Sequence, residues 1–200
     1  MLSLRRMSTP ARLAALLVGW IVVSATPVAA WLESSMLLHV LVQLPLLAWA
    51  GWLGGALLPS PWVEWLNRYN RRGVTGVVLV SGVAFFWMLP SALDASLDSG
   101  FFAAAKAVSI TLLIGTALFV TSRVWHPLLK GLFLLEAWAM LARLGYVYAI
   151  SPDRLCTNYL FGEQQLLGEA LLWLAGAWAV LWAARIMTGP DWPRLKTTGN

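Results

Sequence analysis

The most constraining feature of this chain is a series of long apolar runs with charged residues almost only between them. The runs span residues 11–30, 35–58, 73–90, 101–122, 127–150 and 163–187. Each is close to the ~20 residues that an α-helix needs to cross a hydrocarbon core, and none alternates in the manner of a strand. Since a helix satisfies its own backbone groups in lipid, the pattern predicts an all-α integral membrane protein, a bundle of six transmembrane helices.

Composition agrees with this class of protein. Of the 200 residues, 60% are hydrophobic and only 12% are charged, whereas soluble domains carry about 25% charged residues. Six spans leave only short loops, so we expect one membrane domain over 1–200, surrounded by the lipid bilayer. One segment between spans, 61–68, carries Trp62, Trp65 and Arg68 and is typical of a short helix lying on the membrane surface.

The basic residues predict the orientation of the helices. If the N-terminus is cytoplasmic, 11 of the 14 basic residues lie on the cytoplasmic side and only Arg154 lies in an outer loop. The eleven are Arg5, Arg6, Arg12, Arg68, Arg71, Arg72, Arg123, Lys130, Arg185, Arg194 and Lys196. Because short cytoplasmic loops are enriched in Lys and Arg, we expect both termini in the cytoplasm of a bacterial inner membrane. The same rule explains the net charge of +5, so no nucleic-acid partner is expected.

The first apolar run allows two interpretations. Arg5 and Arg6 precede it and Val28-Ala29-Ala30 ends it, which is the pattern of a cleaved secretory signal peptide. Its length also suffices for a span, and we expect it to be retained as the first helix. Cleavage would leave the orientation of the other five helices unchanged.

Seven of the polar side chains inside predicted spans, where each is costly and needs a partner, form a candidate cluster. They are His39, Gln43, Lys106, Glu136, Arg143, Gln165 and Glu169. On the predicted topology nearly all lie toward the outer face, and the charges of Lys106 and Arg143 balance those of Glu136 and Glu169. We expect a polar cluster there, which either fixes helix packing or forms a pocket for a polar ligand, a metal or another membrane subunit.

Soft metal ligands occur on the same side of the membrane. Met36 and His39 are three residues apart and share a helix face, and Met88 and Cys156 lie on or near the outer side. Thioether, imidazole and thiolate groups together suit Cu(I), so copper is the cofactor that this set would hold. The alternative is that all four are ordinary core residues. If the outer loops form a lid, Cys156 would be its most reactive residue.

Neither haem nor catalysis has a clear signature in the sequence. The two histidines, His39 and His126, are predicted near opposite membrane faces, which argues against a bis-histidine haem. The sequence contains no GxSxG, HExxH, CxxC, Walker A or GxGxxG motif. We therefore expect a protein that is not an enzyme.

Three segments resemble one bacterial family. They are Met36-Leu37-Leu38-His39-Val40-Leu41-Val42-Gln43-Leu44-Pro45-Leu46-Leu47, Trp87-Met88-Leu89-Pro90-Ser91-Ala92-Leu93-Asp94-Ala95-Ser96-Leu97 and Phe161-Gly162-Glu163-Gln164-Gln165-Leu166-Leu167-Gly168-Glu169-Ala170-Leu171-Leu172-Trp173. In this order they resemble the CtaG-like membrane proteins linked to assembly of caa-type cytochrome c oxidase, over roughly residues 34–185. The resemblance implies an assembly factor or accessory subunit, with a respiratory oxidase subunit as its partner.

The chain differs from that family at the positions that could bind a metal. The family usually carries several membrane histidines, but here only His39 lies at such a position, and Lys106 stands near where another histidine is expected. An Asp-Gln-Gln motif of the family begins here with Glu163. Because an ammonium group cannot bind copper until it loses its proton, we expect an ion-pair network in place of a metal site.

Three functional hypotheses follow from the sequence. The first is a CtaG-like helper or accessory subunit of an oxidase. The second is a carrier or receptor that binds a small polar ligand or copper in an outer-leaflet pocket. The third is a membrane redox protein with one haem or a quinone.

Overall fold

The computed structural model describes Trp20, Ser24 and residues 27–188, and every regular element in this part of the chain is helical. In chain order the helices are α1 (Val28–Glu33), α2 (Met36–Gly55), α3 (Ser60–Tyr69), α4 (Val74–Trp87), α5 (Pro90–Asp98), α6 (Gly100–Ser122), α7 (Pro127–Ile150) and α8 (Phe161–Thr188). The prediction of an all-α protein is confirmed. The first predicted span, 11–30, lies almost entirely outside the described residues.

Within the described residues, four helices are long and apolar enough to cross a membrane. They are α2, α6, α7 and α8, and α4 with α5 makes a fifth candidate if the pair is one broken span. The two parts of that pair bend by 69°. The predicted run 73–90 breaks there because Leu89 precedes a proline and is extended, with φ −70° and ψ 130°. The protein is therefore membrane-embedded, with four or five of the six predicted spans described.

Helices α2 and α6 cross in close contact because each carries a glycine at the crossing. A Cβ added to Gly115 would lie 2.7 Å from the Cα of Gly51 and 2.9 Å from the backbone nitrogen of Trp52. The Thr116 hydroxyl donates across the same crossing to the Gly51 carbonyl, at 3.0 Å. Small residues that let backbones approach are the usual device of helix association in lipid, and here they set how near α6 lies to α2.

Helices α7 and α8 form a second close pair. Gly145 and Gly168 face each other at the crossing, where a Cβ on Gly145 would lie 3.0 Å from the Gly168 carbonyl oxygen. The Trp138 indole donates to the Ala175 carbonyl at 3.0 Å. The outer faces of the pair expose large apolar side chains, among them Leu128 and Trp173 at 77% and 80%. Such faces suit contact with lipid rather than water.

The connection between α7 and α8, residues 151–160, is irregular yet ordered, and we refer to it as the cap. The cap meets the beginning of α2 and the helix α5, so these elements share one end of the bundle. Helix α3 and the beginning of α4 lie at the other end, because α2 and α4 each run the length of the bundle between them. This arrangement places the site described next directly beneath the cap.

Candidate functional site

A lysine ammonium group stands at the centre of a buried set of polar side chains beneath the cap. Lys106 Nζ lies 2.7 Å from Glu33 Oε1, 2.8 Å from His39 Nε2 and 3.4 Å from Gln43 Oε1. Only 2% of the Lys106 side chain is exposed. An ammonium has three N–H donors and no acceptor, so three acceptors satisfy it completely. We call Glu33, His39, Gln43, Lys106 and Tyr159 the buried cluster.

The hydrogen bonds assign the tautomer of His39. Tyr159 Oη lies 2.7 Å from His39 Nδ1 and donates to the backbone carbonyl of Glu33 at 3.0 Å. A carbonyl only accepts, so the single hydroxyl proton goes to Glu33 and Oη must accept from Nδ1–H. This leaves the Nε2 lone pair to accept from Lys106. The imidazole is therefore neutral, fully engaged and 0% exposed.

The ion pair of Lys106 differs from the predicted one. The sequence predicts that Glu136 and Glu169 neutralise the charges of Lys106 and Arg143. In the structure, Lys106 instead forms an ion pair with Glu33 at 2.7 Å. The Glu33 carboxylate is 19% exposed and also accepts from the Gln43 amide at 3.1 Å. Glu33 lies between the first two apolar runs, where a loop is predicted, but the short helix α1 ends at Glu33 and returns it to the bundle.

A π-helical segment in α2 helps to orient two of these side chains. Residues His39–Gln43 form a π-helical segment, in which the backbone nitrogen of Leu44 donates to the His39 carbonyl five residues earlier. Both ends of the segment, His39 and Gln43, face Lys106 on α6. Such segments are rare and occur often at functional sites. The sequence carries no readable signal for this turn.

The other four residues predicted for the polar cluster lie elsewhere. Glu136 and Arg143 form an ion pair of 3.7 Å with each other, and their side chains are 53% and 71% exposed. Glu169 is exposed and Gln165 is half-buried. These residues lie on α7 and α8, whose close contact with each other turns other faces outward. Depth in the membrane alone did not reveal which helix faces meet.

The predicted metal ligands lie in apolar packing. Met36 and Cys156 are 0% and 1% exposed and belong to the hydrophobic core, with Met88 packed against it. His39 has both nitrogens engaged, and the Lys106 ammonium occupies the lone pair that a cation would need. No group of three or more His, Cys, Asp or Glu side chains in the described part of the chain is placed to hold a metal ion. The geometry therefore favours the core interpretation of these residues.

Cys156 is also chemically protected. Burial, together with the charge of Asp94, raises the pKa of its thiol to about 12, although nearby Arg154 acts in the opposite direction. The thiolate is the nucleophile and the metal ligand, so at neutral pH this cysteine is a small buried hydrophobe. The expectation that Cys156 is the most reactive residue of the cap is not supported by its surroundings.

The two histidines lie at opposite ends of the bundle. His39 contacts Lys106 near the start of α6, whereas His126 follows the end of α6 and accepts from the backbone nitrogen of Leu128 at 3.3 Å. From Lys106 to Ser122, α6 rises by roughly 24 Å. One haem iron therefore cannot bind both imidazoles in this arrangement.

The cap is fixed by Asp94 of α5, whose role the sequence does not predict. Its carboxylate accepts from the Thr157 backbone nitrogen at 2.7 Å, from the Thr157 hydroxyl at 3.0 Å and from the Asn158 backbone nitrogen at 3.4 Å. Hydrogen bonds to a carboxylate are among the stronger ones in proteins. Asp94 is 9% exposed, so the cap end of the bundle is closed over it.

Gln164 and Arg154 complete the attachment of the cap. The Gln164 side chain accepts from the Leu155 backbone nitrogen at 2.8 Å and donates to the Asp153 carbonyl at 3.3 Å. Arg154 donates from Nε to the carbonyls of Cys156 and Tyr159, at 3.1 and 2.6 Å, and from its terminal nitrogen to the Thr157 carbonyl. These bonds satisfy backbone groups that a buried loop would otherwise leave unpaired.

The cap brings together residues from three segments that are far apart in the sequence, 36–47, 87–97 and 161–173. The first supplies His39, which donates to Tyr159; the second supplies Asp94, which binds Thr157; and the third supplies Gln164, which binds the backbone on both sides of Arg154. Side chains far apart in the sequence thus share one structural task. The sequence carries no sign that the three segments contact one loop.

Comparisons of the chain with protein-family models, with curated proteins and with solved structures found no match in any of the three.

Proposed function

We propose that this chain is a CtaG-like protein of the bacterial inner membrane that assists assembly of a respiratory cytochrome c oxidase or accompanies it as an accessory subunit. The observation that carries the proposal is the convergence of the three family-like segments on the cap through His39, Asp94 and Gln164. Motif residues that contact one loop in the folded protein support a shared role more strongly than short motifs spaced along a chain. Both termini are cytoplasmic in this proposal, and the cap faces outward.

The cap is the surface that we assign to the oxidase partner. It is held from three sides, yet Asp153, Thr157, Asn158 and Leu160 remain exposed, the last at 71%. A loop whose backbone is already fixed loses little conformational entropy on binding. Polar groups beside an exposed leucine form the mixed surface typical of non-obligate interfaces.

Contact, rather than metal transfer, is the proposed mode of action. Glu33, His39 and Gln43 direct three acceptors at one point, and the ammonium of Lys106 already occupies that point. A cation arriving there would meet a like charge and would have to displace three hydrogen bonds. The carrier and receptor hypotheses lose support for the same reason, because the buried cluster satisfies its own donors.

Deletion of the gene in its source bacterium tests the role. We expect the amount of assembled oxidase, measured as reduced-minus-oxidised haem a absorbance per milligram of membrane, to fall severalfold and to recover when the wild-type chain is supplied. A deletion strain with unchanged absorbance and unchanged oxidase activity would refute the proposal.

Metal and spectral measurements on the purified chain separate the alternatives. After exposure to Cu(I) and gel filtration, we expect equal background copper in the wild type and in His39→Ala, and no Soret absorbance. Copper bound one to one in the wild type and lost in His39→Ala would favour the carrier. A Soret band would favour the redox protein.

A further inference from the structure

Three arginines line an open hollow at the end of the bundle opposite the cap. The hollow has a volume of about 500 Å³ and lies at the junction of α3 and α4. Its lining residues are Arg68, Tyr69, Arg71, Arg72, Val74 and Thr75. All three guanidinium groups are exposed, and none takes part in an ion pair within the described part of the chain. The hollow therefore concentrates uncompensated positive charge.

The turn that carries these arginines is held from behind. Asn70 is 6% exposed; its side chain accepts from the Gly76 backbone nitrogen at 2.9 Å and donates to the Thr121 hydroxyl at 3.0 Å. Arg72 and Gly73 then adopt left-handed backbone angles, with φ of 57° and 86°. For a residue with a Cβ that conformation is unfavourable and persists only where the surroundings impose it. The backbone of the turn that carries the arginines is therefore already fixed before a ligand binds.

Apolar surface flanks the hollow on two sides. Helix α3 has no buried residue, in line with its predicted place on the membrane surface, and the exposed rings of Trp65 and Tyr69 stack edge to face with centroids 5.4 Å apart. On α4, Val74 and Val78 are one turn apart and 51% and 67% exposed. Interfacial aromatic rings typically lie at the level of lipid headgroups, so this hollow lies where headgroup and acyl chain meet.

We propose that the hollow binds the phosphate headgroup of an anionic phospholipid, whose acyl chains lie along Val74, Val78 and the α3 rings. Guanidinium groups match phosphate oxygens in geometry as well as in charge. Clusters of basic residues at a membrane surface select anionic lipids, and 500 Å³ admits a whole headgroup rather than a bare ion. The inference does not depend on the proposed role in oxidase assembly.

Lipid titration of the purified full-length chain in detergent, followed by native mass spectrometry, tests the site. The probes are dioleoyl phosphatidylglycerol and dioleoyl phosphatidylcholine, and we expect the wild type to bind the first more tightly by about a hundredfold. In the triple variant R68Q/R71Q/R72Q we expect phosphatidylglycerol affinity to fall by about a hundredfold, since each basic residue contributes roughly fivefold. Phosphatidylcholine, whose choline cancels the charge of its phosphate, should lose far less affinity.

A charge-matched control separates this site from diffuse attraction. R123Q/K130Q/R185Q removes the same charge from exposed positions at the same end of the bundle, and we expect it to change phosphatidylglycerol affinity less than threefold. The triple R68K/R71K/R72K variant keeps the charge but not the guanidinium geometry. It should retain more of the affinity than R68Q/R71Q/R72Q, and its binding would show that substitution here leaves the fold intact.

Three results would overturn the inference. They are unchanged phosphatidylglycerol affinity in R68Q/R71Q/R72Q, an equal loss in R123Q/K130Q/R185Q, and displacement of the lipid by glycerol 1-phosphate at equimolar concentration. The last would assign the hollow to a soluble phosphate compound instead of a lipid.

Discussion

Lys106 carries its charge inside the bundle because three acceptors surround its ammonium group. Glu33 balances the charge at 2.7 Å, and His39 and Gln43 accept the remaining protons. The sequence identified Lys106, His39 and Gln43 as costly residues that need partners. It could not identify Glu33 or Tyr159, because a carboxylate in a short loop and a tyrosine in another carry no sign of which helix they will face.

Removing the ammonium should be far more damaging than removing an exposed cation. Lys106→Met keeps the length of the side chain but leaves the Glu33 carboxylate and the His39 lone pair without their donor. We expect a loss of about 3 kcal/mol or more in the free energy of unfolding, measured by denaturant titration in detergent. The control, Arg143→Met, removes a cation that is 71% exposed and should cost below about 1 kcal/mol. Equal stability of the two variants would contradict the buried cluster.

Asp94 should control access to Cys156. Asp94→Asn removes the charge that holds Thr157 and Asn158 and that helps to raise the pKa of Cys156. We therefore expect the cap to open more often, the thiolate fraction to rise, and iodoacetamide to alkylate Cys156 about tenfold faster or more at pH 8. In the wild type the reaction should be slow, because the thiol is buried and its pKa is raised to about 12.

The matched control for Asp94 lies one turn further along α5. Asp98→Asn affects an exposed carboxylate with one bond to the cap, from the Asn158 amide at 3.1 Å. Its alkylation rate should stay within about twofold of the wild-type rate. Similar rates in Asp94→Asn and the wild type would show that Asp94 does not fasten the cap.

The apolar runs predicted the helices well except at Pro90. Runs 101–122, 127–150 and 163–187 coincide with α6, α7 and α8 to within a few residues. The run 73–90 did not yield a straight span, because Pro90 ends α4 and begins α5. The short distances between the paired helices were not predicted. A glycine in an apolar run does not reveal from the sequence whether a second helix backbone packs against it.

The crossing of α2 and α6 yields a prediction about two glycines. Gly115→Ala would place a Cβ 2.7 Å from the Gly51 Cα and force the helices apart, so we expect a loss of about 1–3 kcal/mol in unfolding free energy. A Cβ at Gly82 meets nothing within 4 Å, and Gly82→Ala should leave stability unchanged or raise it slightly. Denaturant titration in detergent measures both. Equal effects would show that the crossing is looser than described.

At the scale of the whole molecule, the two ends of the bundle have different chemistry. One end is a closed cap above a neutralised ion pair, and the other is an open, basic hollow beside exposed aromatic rings. The distribution of the basic residues along the sequence predicts that one end of the bundle is basic. It did not predict that the motif segments would meet at the cap, because that depends on how α2, α5 and α8 pack.

The most direct test of the central claim is photo-crosslinking from the cap in the source membrane. A benzoylphenylalanine at Asp153, an exposed cap position, should crosslink to an oxidase subunit, whereas the same group at Ile186, 79% exposed on α8, should not. We expect an oxidase subunit as the main crosslinked protein from Asp153 only. No oxidase crosslink from Asp153, or equal crosslinking from both positions, would contradict it.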